Sequence, residues 1–288
     1  MLEWHFEHFK TFYTYEIIQQ AAVSLILFEG ENTDASKNAR MLQLTKLLVE
    51  NTGHPAWMPA RDTGNLEIDN EGGSVFRNKA RLLSTFYLCV PPSFLEENGL
   101  KKEIVMTNFG KALALGYVSE KEFYDFMIKK FQYPHPAFDN YKEWLESGLV
   151  IRPFIFILKT LVKLLESGGY QNAYLTVDEI CNFLVPLSSE DEALAASKIL
   201  ENRLNPQPIT SAQDKRKIRE MLAFLAMSEY VYIDSTDSRQ EKYFLNLIDR
   251  HSYEKTYYFH TRSAGGAGTG QKKYKESKLE KIIKLWEE

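Results

Sequence analysis

The chain has 288 residues, 44% of them hydrophobic and including 18 Phe and 16 Tyr, which supplies cores for about two domains or three small ones. No apolar run approaches the ~20 residues of a membrane span, and no basic segment leads into an apolar one at the N-terminus. The two cysteines, Cys89 and Cys181, stand in apolar surroundings outside any zinc spacing, so a cytoplasmic protein with buried free thiols is expected. The formal net charge of −4 argues against blanket polyanion binding, but residues 1–202 hold 19 Lys and Arg against 27 Asp and Glu, and residues 203–288 hold 16 against 12. The basic surplus is C-terminal, where either a phosphate-facing surface or a merely solvated face accounts for it.

Residues 1–30 are aromatic and apolar, and Ile17 to Phe28 reads as a buried helix or strand. Thr33 or Asp34 is placed to cap a helix carrying Met41, Leu44, Leu47 and Leu48, which stops at Asn51-Thr52-Gly53. A long loop follows over residues 54–74. Phe76 to Leu83 is a compact helix-like segment with cations on one side and leucines on the other. Leu88–Val90 and Glu103–Met106 are strand-like, with a loop from Pro91 to Lys102 between them. With the helix opening at Thr107-Asn108-Phe109-Gly110-Lys111-Ala112-Leu113, these predict a first winged helix whose hairpin is the wing.

Ser119 and Glu122 form a capping box for a helix from Glu120 to Phe131, which Tyr133-Pro134 ends. The organising stretch is Val150 to Asn202. Pro153 fits the first turn of a helix, Gly168-Gly169 can close it, and Thr176 with Glu179 is a second capping box. Ser188 or Ser189, with Asp191 and Glu192 in the first turn, starts a third helix. Three short helices with tight turns predict a helix-turn-helix module, and an ordinary helical bundle has the same pattern.

Asn205-Pro206-Gln207-Pro208 reads as a linker. Thr210 or Ser211 then caps a long helix through Ile218, Met221, Leu222 and Leu225. Tyr230–Ile233 and Tyr243–Asn246 form a hairpin around Ser235–Ser238. A Gly-rich loop covers 264–270, and a basic helix covers 273–286. The expected fold is mainly α with small β-hairpins, arranged as tandem winged-helix or helix-turn-helix modules. Its domains are 1–117 (winged-helix-like), 118–204 (helix-turn-helix-like) and 205–288 (winged-helix-like, with a basic tail helix).

No active site is recognisable. Residues 265–273 approach a phosphate-binding P-loop, but Gln271 stands where Lys is required and Lys272 where Ser or Thr should hold magnesium. A loop that cradles phosphate through its amides, or a plain mobile loop, explains the segment better. Glu276-Ser277-Lys278 lies on a surface helix, where charge pairing accounts for it. His5 and His8 near Glu7 lack further metal-ligand partners. The predicted chemistry is contact with double-stranded DNA. Arg77, Asn78, Lys79 and Arg81 lie on a helix suited to reading base edges, and Lys215, Arg216 and Arg219 open a helix suited to phosphate clamping. Lys198, Arg203, Arg239, Arg262, Lys272 and Lys273 complete the candidate set. For each cluster a solvated helix face is the competing account.

Three segments follow in order: Val105-Met106-Thr107-Asn108-Phe109-Gly110-Lys111-Ala112-Leu113, the helix ending Phe131-Gln132-Tyr133-Pro134, and Ile151-Arg152-Pro153-Phe154-Ile155-Phe156-Ile157-Leu158. The whole resembles the N-terminal recognition part of AlwI-type IIS restriction endonucleases, over roughly residues 31–250 by order and spacing. The resemblance implies winged-helix subdomains that read a short asymmetric DNA site, with Arg77, Asn78 and Arg81 matching the family's Arg-rich approach to its first recognition helix. Those enzymes carry a separate C-terminal metal-dependent cleavage domain, and this chain ends where that domain should begin. The expectation is therefore a DNA-binding subunit with a catalytic nuclease partner in a restriction or phage-defence system, or a fragment of a longer enzyme. No catalytic residue, metal ligand or cofactor is expected in this chain, and magnesium only in the partner nuclease domain. The alternative is a helical scaffold that assembles other proteins without binding DNA.

Overall fold

The computed structural model describes residues 3–6, 14–33, 40–53, 81–138, 140–207, 211–234, 241–247 and 278–287. The expected loop at 54–74, the helix start at 76–80, the turn at 235–238, the Gly-rich loop and most of the 273–286 helix's first turn lie outside them. The chain forms two compact units. One comprises Glu7–Met127 and Tyr133–Leu149; the other comprises Met1–Phe6, Ile128–Gln132 and Val150–Glu288.

In the first unit, α1 (Tyr15–Ile26) begins where Thr14, in extended conformation, accepts the Ile17 N–H at 3.4 Å. Its buried stripe of Ile18, Ala21, Ala22 and Leu25 has helical spacing and packs on α2 (Arg40–Thr52), where Met41, Leu44 and Leu48 are buried. The ambiguous segment 17–28 is thus helical through Ile26. Asn51 Nδ2 donates to Ser24 Oγ at 3.0 Å between the two helices. The Thr33 hydroxyl donates to the Lys102 carbonyl at 3.3 Å, and the entry to α2 that would show a cap lies outside the described residues. Asp34 lies outside the described residues.

The expected first hairpin is not a regular one. Residues 88–90 meet 105–107 through Val90 N–H to Val105 O (2.8 Å) and Thr107 N–H to Leu88 O (3.1 Å), around a single bridge between Cys89 and Met106. A second bridge, Asn32 with Glu103, ties the segment after α1 to the same ribbon. Residues 81–85 are helical (α3), and the segment read as a loop contains α4 (Pro92–Glu97). Pro92 has its ring-fixed φ in the first turn of α4, and Leu95 is buried beneath it.

Thr107 caps α5 (Asn108–Ala114) by accepting the Gly110 N–H at 2.9 Å, and donates its own hydroxyl to the Tyr87 carbonyl. The Ser119–Glu122 capping box is present at the start of α6 (Glu120–Lys130). The Ser119 N–H meets Glu122 Oε2 at 2.8 Å and the Glu122 N–H meets Ser119 Oγ at 3.4 Å. Phe109 of α5 stacks on Phe126 of α6 with centroids 3.7 Å apart. Trp144 of α7 (Tyr141–Glu146) packs edge-to-face on Tyr133.

The second unit is built around α8 (Pro153–Gly168). Pro153 occupies its first turn, and Phe154 to Leu158 are all fully buried, so the helix is apolar on every side at its start. Gly169 ends it at φ 73°, with its N–H on the Leu165 carbonyl at 2.9 Å. A 3-10 turn (Tyr170–Asn172) leads to β1 (Tyr174–Leu175). The Thr176–Glu179 capping box then opens α9 (Val177–Glu179), which runs into a π-helical turn (Ile180–Leu184). The third helix of this stretch, α10 (Glu192–Leu204), is capped by neither Ser188 nor Ser189. Asp191 does it, accepting the Leu194 N–H at 2.9 Å.

After the linker, α11 (Lys215–Met227) is capped by Asp214, one turn later than Thr210 or Ser211 would place it. β2 (Val231–Asp234) and β3 (Lys242–Leu245) form the expected hairpin, and β1 adds to β3, giving an antiparallel sheet of order β1-β3-β2. The sheet joins a strand from 118–204 to two from 205–288, and all three strands belong to one compact unit. Phe6 packs against Phe131, Phe154 and Phe224 at 5.1–5.3 Å. Trp4 is held by Gln213, whose Oε1 accepts the Trp4 N–H at 3.0 Å and whose Nε2 donates to the Trp4 carbonyl at 2.8 Å. The last described helix, α12 (278–287), buries Ile282 and Leu285. Among the described residues the protein is mainly helical, with one small antiparallel sheet.

Candidate nucleic-acid interface

The first turn of α11 carries Lys215, Arg216 and Lys217 and no acidic residue. That end of a helix already holds positive partial charge from its unpaired N–H groups, so three cations there cost stability and concentrate a field that attracts anions. Asp214 offsets part of this by accepting the Arg216 N–H at 2.9 Å. Lys215 Nζ lies 2.7 Å from Asp178 Oδ1 on α9. The hydrogen bond and charge of that carboxylate raise the ammonium's pKa. One turn on, Arg219 Nε lies 3.4 Å from Glu241 Oε2, and Lys217 pairs with Glu3 at 2.7 Å. Among the described residues no carboxylate pairs with Arg216, which is exposed. The Lys215 and Arg219 pairs are about half exposed, so breaking them to admit a phosphate costs little, on the order of 1 kcal/mol or less.

The other expected contacts fare differently. Arg77, Asn78, Lys79, Arg239, Arg262, Lys272 and Lys273 lie outside the described residues. Arg81 is half-buried in α3, and its carbonyl accepts the Thr85 hydroxyl at 2.8 Å. Lys198 is exposed on α10. Arg203 has a structural task. Its Nε and Nη2 fork onto Glu179 at 2.7 and 3.1 Å, Nη1 donates to the Asn172 carbonyl at 3.0 Å, and Nη2 to the Tyr174 carbonyl at 2.7 Å. Four of its five N–H donors are thus used, the guanidinium lies 3.8 Å over the Tyr174 ring, and the side chain is only 14% exposed. Arg203 joins α10, α9 and β1 as a strut of the fold, which leaves one of its N–H donors for the expected DNA contact.

Sequence reading passed over two features of this unit. Glu190 receives the Arg152 N–H at 2.7 Å and the Arg152 guanidinium at 3.0 and 2.8 Å, with Lys159 at 3.7 Å, so its carboxylate sits at the N-terminus of α8. Arg152's pKa is raised by this partner. The second is the outer face of the sheet. Register sets Phe244 opposite both Tyr174 and Tyr232, and the three rings form a row across the strands at 5.1 and 5.4 Å. Lys242 Nζ lies 5.0 Å from the Tyr174 ring. The alternating aromatics of Tyr230–Ile233 and Tyr243–Phe244 signalled the hairpin, but the two-residue β1 that completes the row has too little pattern to be read.

Among the described residues no group of three or more His, Cys, Asp and Glu side chains is placed to hold a metal, and no helix is long and apolar enough to cross a membrane. Cys89 and Cys181 are buried and unbridged, and burial pushes both thiols up to about 11.

No family model matches the chain, and no curated protein matches it. Among solved structures, the BpuJ1 endonuclease binding domain, determined in complex with pyrene- and phenanthrene-modified DNA, is similar in fold. The TM-score is 0.54 and the identity 14%, and the match covers 96% of this chain and 94% of that one.

Proposed function

We propose that the chain is a double-stranded DNA-recognition module of a restriction-type nuclease system. The observation that carries this reading is the fold likeness, along nearly the whole of both chains, to an endonuclease binding domain crystallised with DNA. The cationic start of α11 and the C-terminal basic surplus agree with it. In this reading recognition is sequence-directed, through winged-helix-like units of the AlwI type. Arg77, Asn78, Lys79 and Arg81 read base edges. Lys215, Arg216, Arg219, Lys198, Arg239, Arg262, Lys272 and Lys273 hold phosphates. Cleavage belongs to a separate nuclease domain or subunit that binds magnesium, and the system works in the cytoplasm, against phage DNA.

The test is an electrophoretic shift with duplex DNA over a salt series, followed by selection from randomised duplexes. Expected are binding whose affinity falls steeply with salt and enrichment of one short sequence. A chain that retains no duplex at low salt overturns the reading and leaves the helical scaffold that assembles other proteins.

A further inference from the structure

We propose that the outer face of the β1-β3-β2 sheet binds unpaired nucleobases by stacking, as a site separate from the duplex-binding surface. Antiparallel register places Tyr174, Phe244 and Tyr232 in one row, each on a different strand. Their inward-pointing neighbours Leu175, Val231, Tyr243 and Leu245 are buried, so the sheet's core side is already satisfied without the row. The row is therefore not needed to close the apolar core. The Tyr232 and Phe244 rings stack within 11° of parallel, Tyr170 packs on Phe244 at 6.4 Å with its hydroxyl bonded to Tyr232, and Tyr232, 36% exposed on the edge strand β2, is the ring that a base can reach.

Flat rings recognise flat rings, and stacking tolerates any base sequence because every base has a π face. Charge complements this. Lys242 Nζ lies beside the row, 5.0 Å from the Tyr174 ring, where the phosphate of a strand laid over the rings would meet it. Asp234 faces Lys242 in the register, two residues along from Tyr232, so the acidic group stands at one end of the row rather than within it. Arg203, buried against the Tyr174 ring, stiffens that ring through its fork on Glu179. An aromatic face with the Lys242 ammonium at its border, opposite Asp234, fits a base-and-phosphate ligand.

The experiment uses the full chain and fluorescein-labelled oligonucleotides of about a dozen nucleotides, one of deoxythymidine and one of uridine, read by anisotropy beside a duplex of the same label. Wild type is expected to bind at least one single strand, and the tighter of the two identifies the strand as DNA or RNA. Tyr232→Ala is expected to weaken that binding about 5- to 100-fold and leave duplex binding unchanged. Tyr232→Phe keeps the ring and is expected to bind within about twofold of wild type, which separates stacking from any effect on the strand. Lys242→Ala is expected to lower the salt slope for the single strand by about 0.7. Absence of single-strand binding by wild type, or equal binding by wild type and Tyr232→Ala, overturns the proposal. Duplex binding without single-strand binding sinks this inference alone. Single-strand binding that Tyr232→Ala weakens, without duplex binding, supports this inference and sinks only the duplex reading.

Discussion

Gly110 lies so close to Leu88 that a Cβ added to it would stand 2.2 Å from the Leu88 carbonyl oxygen. The approach is set by Thr107, whose hydroxyl caps α5 and reaches the Tyr87 carbonyl, while the Thr107 N–H bonds to the Leu88 carbonyl at 3.1 Å. A helix interior favours Ala over Gly by about 1 kcal/mol. Here backbone stands where the methyl would go, and the overpacking cost outweighs that preference. Gly110→Ala is expected to lower unfolding stability by about 2 kcal/mol in urea titrations. A neutral or stabilising result would show that α5 does not lie on the Leu88 strand as described.

The Arg203–Glu179 fork makes a second prediction. Both side chains are about seven-eighths buried, and removing one leaves the other charge without its partner. Arg203→Ala is expected to cost about 3–5 kcal/mol of stability. Arg203→Lys recovers only part, because an ammonium cannot fork onto a carboxylate while meeting two carbonyls. At a temperature where the Lys variant is folded, its affinity for duplex DNA is expected to stay within about twofold of wild type. A specific loss of DNA affinity with unchanged melting would place Arg203 in the interface.

Local signals were legible where one residue type carries the geometry. The Thr176–Glu179 and Ser119–Glu122 boxes, Pro153 at a helix start and Gly169 at its end each stand as read, because a capping hydroxyl, a ring-fixed φ and a missing Cβ act within four residues. Misplaced caps were those with several oxygens in reach: Asp191 rather than Ser188 or Ser189, and Asp214 rather than Thr210 or Ser211. The first hairpin is less regular than expected for a different reason. Apolar alternation at 88–90 and 103–106 requires extended backbone but not a ladder, and the structure closes each contact with a single bridge. At the candidate interface, charge along the chain located the α11 cations. It could not tell Arg216, an exposed cation, from Arg203, which the fold holds, because that difference rests on Glu179, Asn172 and Tyr174 from elsewhere in the sequence.

Histidine 135 predicts a pH dependence. His135 is 2% exposed, its Nδ1 accepts the Ala137 N–H at 3.2 Å, and burial holds its pKa down at about 4 against 6.5 unfolded. Above pH 6.5 both states are neutral and the full stability is present. Between 6.5 and about 4 the unfolded chain takes up a proton that the folded one refuses, so stability falls as pH falls, by about 3 kcal/mol in all. Urea unfolding at pH 7.5, 5.5 and 4.5 reads this directly. His135→Gln is expected to flatten the slope across that window relative to wild type, and an unchanged slope would assign the acid sensitivity to other groups.

Arg216 makes the last prediction, in which stability and binding move apart. It stands in the first turn of α11 with Lys215 and Lys217, at the positive end of the helix dipole, and among the described residues it has no carboxylate partner. A cation there costs the helix about 0.3–1 kcal/mol, so Arg216→Ala is expected to hold or slightly raise the melting temperature. The Asp214 cap is untouched, because it accepts the backbone N–H of residue 216 and not the side chain. If the turn clamps phosphate, the same substitution weakens binding to specific and scrambled duplexes alike and lowers the salt slope by about one. Adding Lys215→Ala and Arg219→Ala is expected to deepen both effects. Each of those side chains must first leave a half-exposed carboxylate, so each adds less than Arg216 does. Affinity measured at several salt concentrations, beside melting curves of the same variants, checks both halves. A fall in melting temperature would mean that Arg216 supports the fold. An unchanged salt slope in the triple variant would remove α11 from the DNA-binding surface.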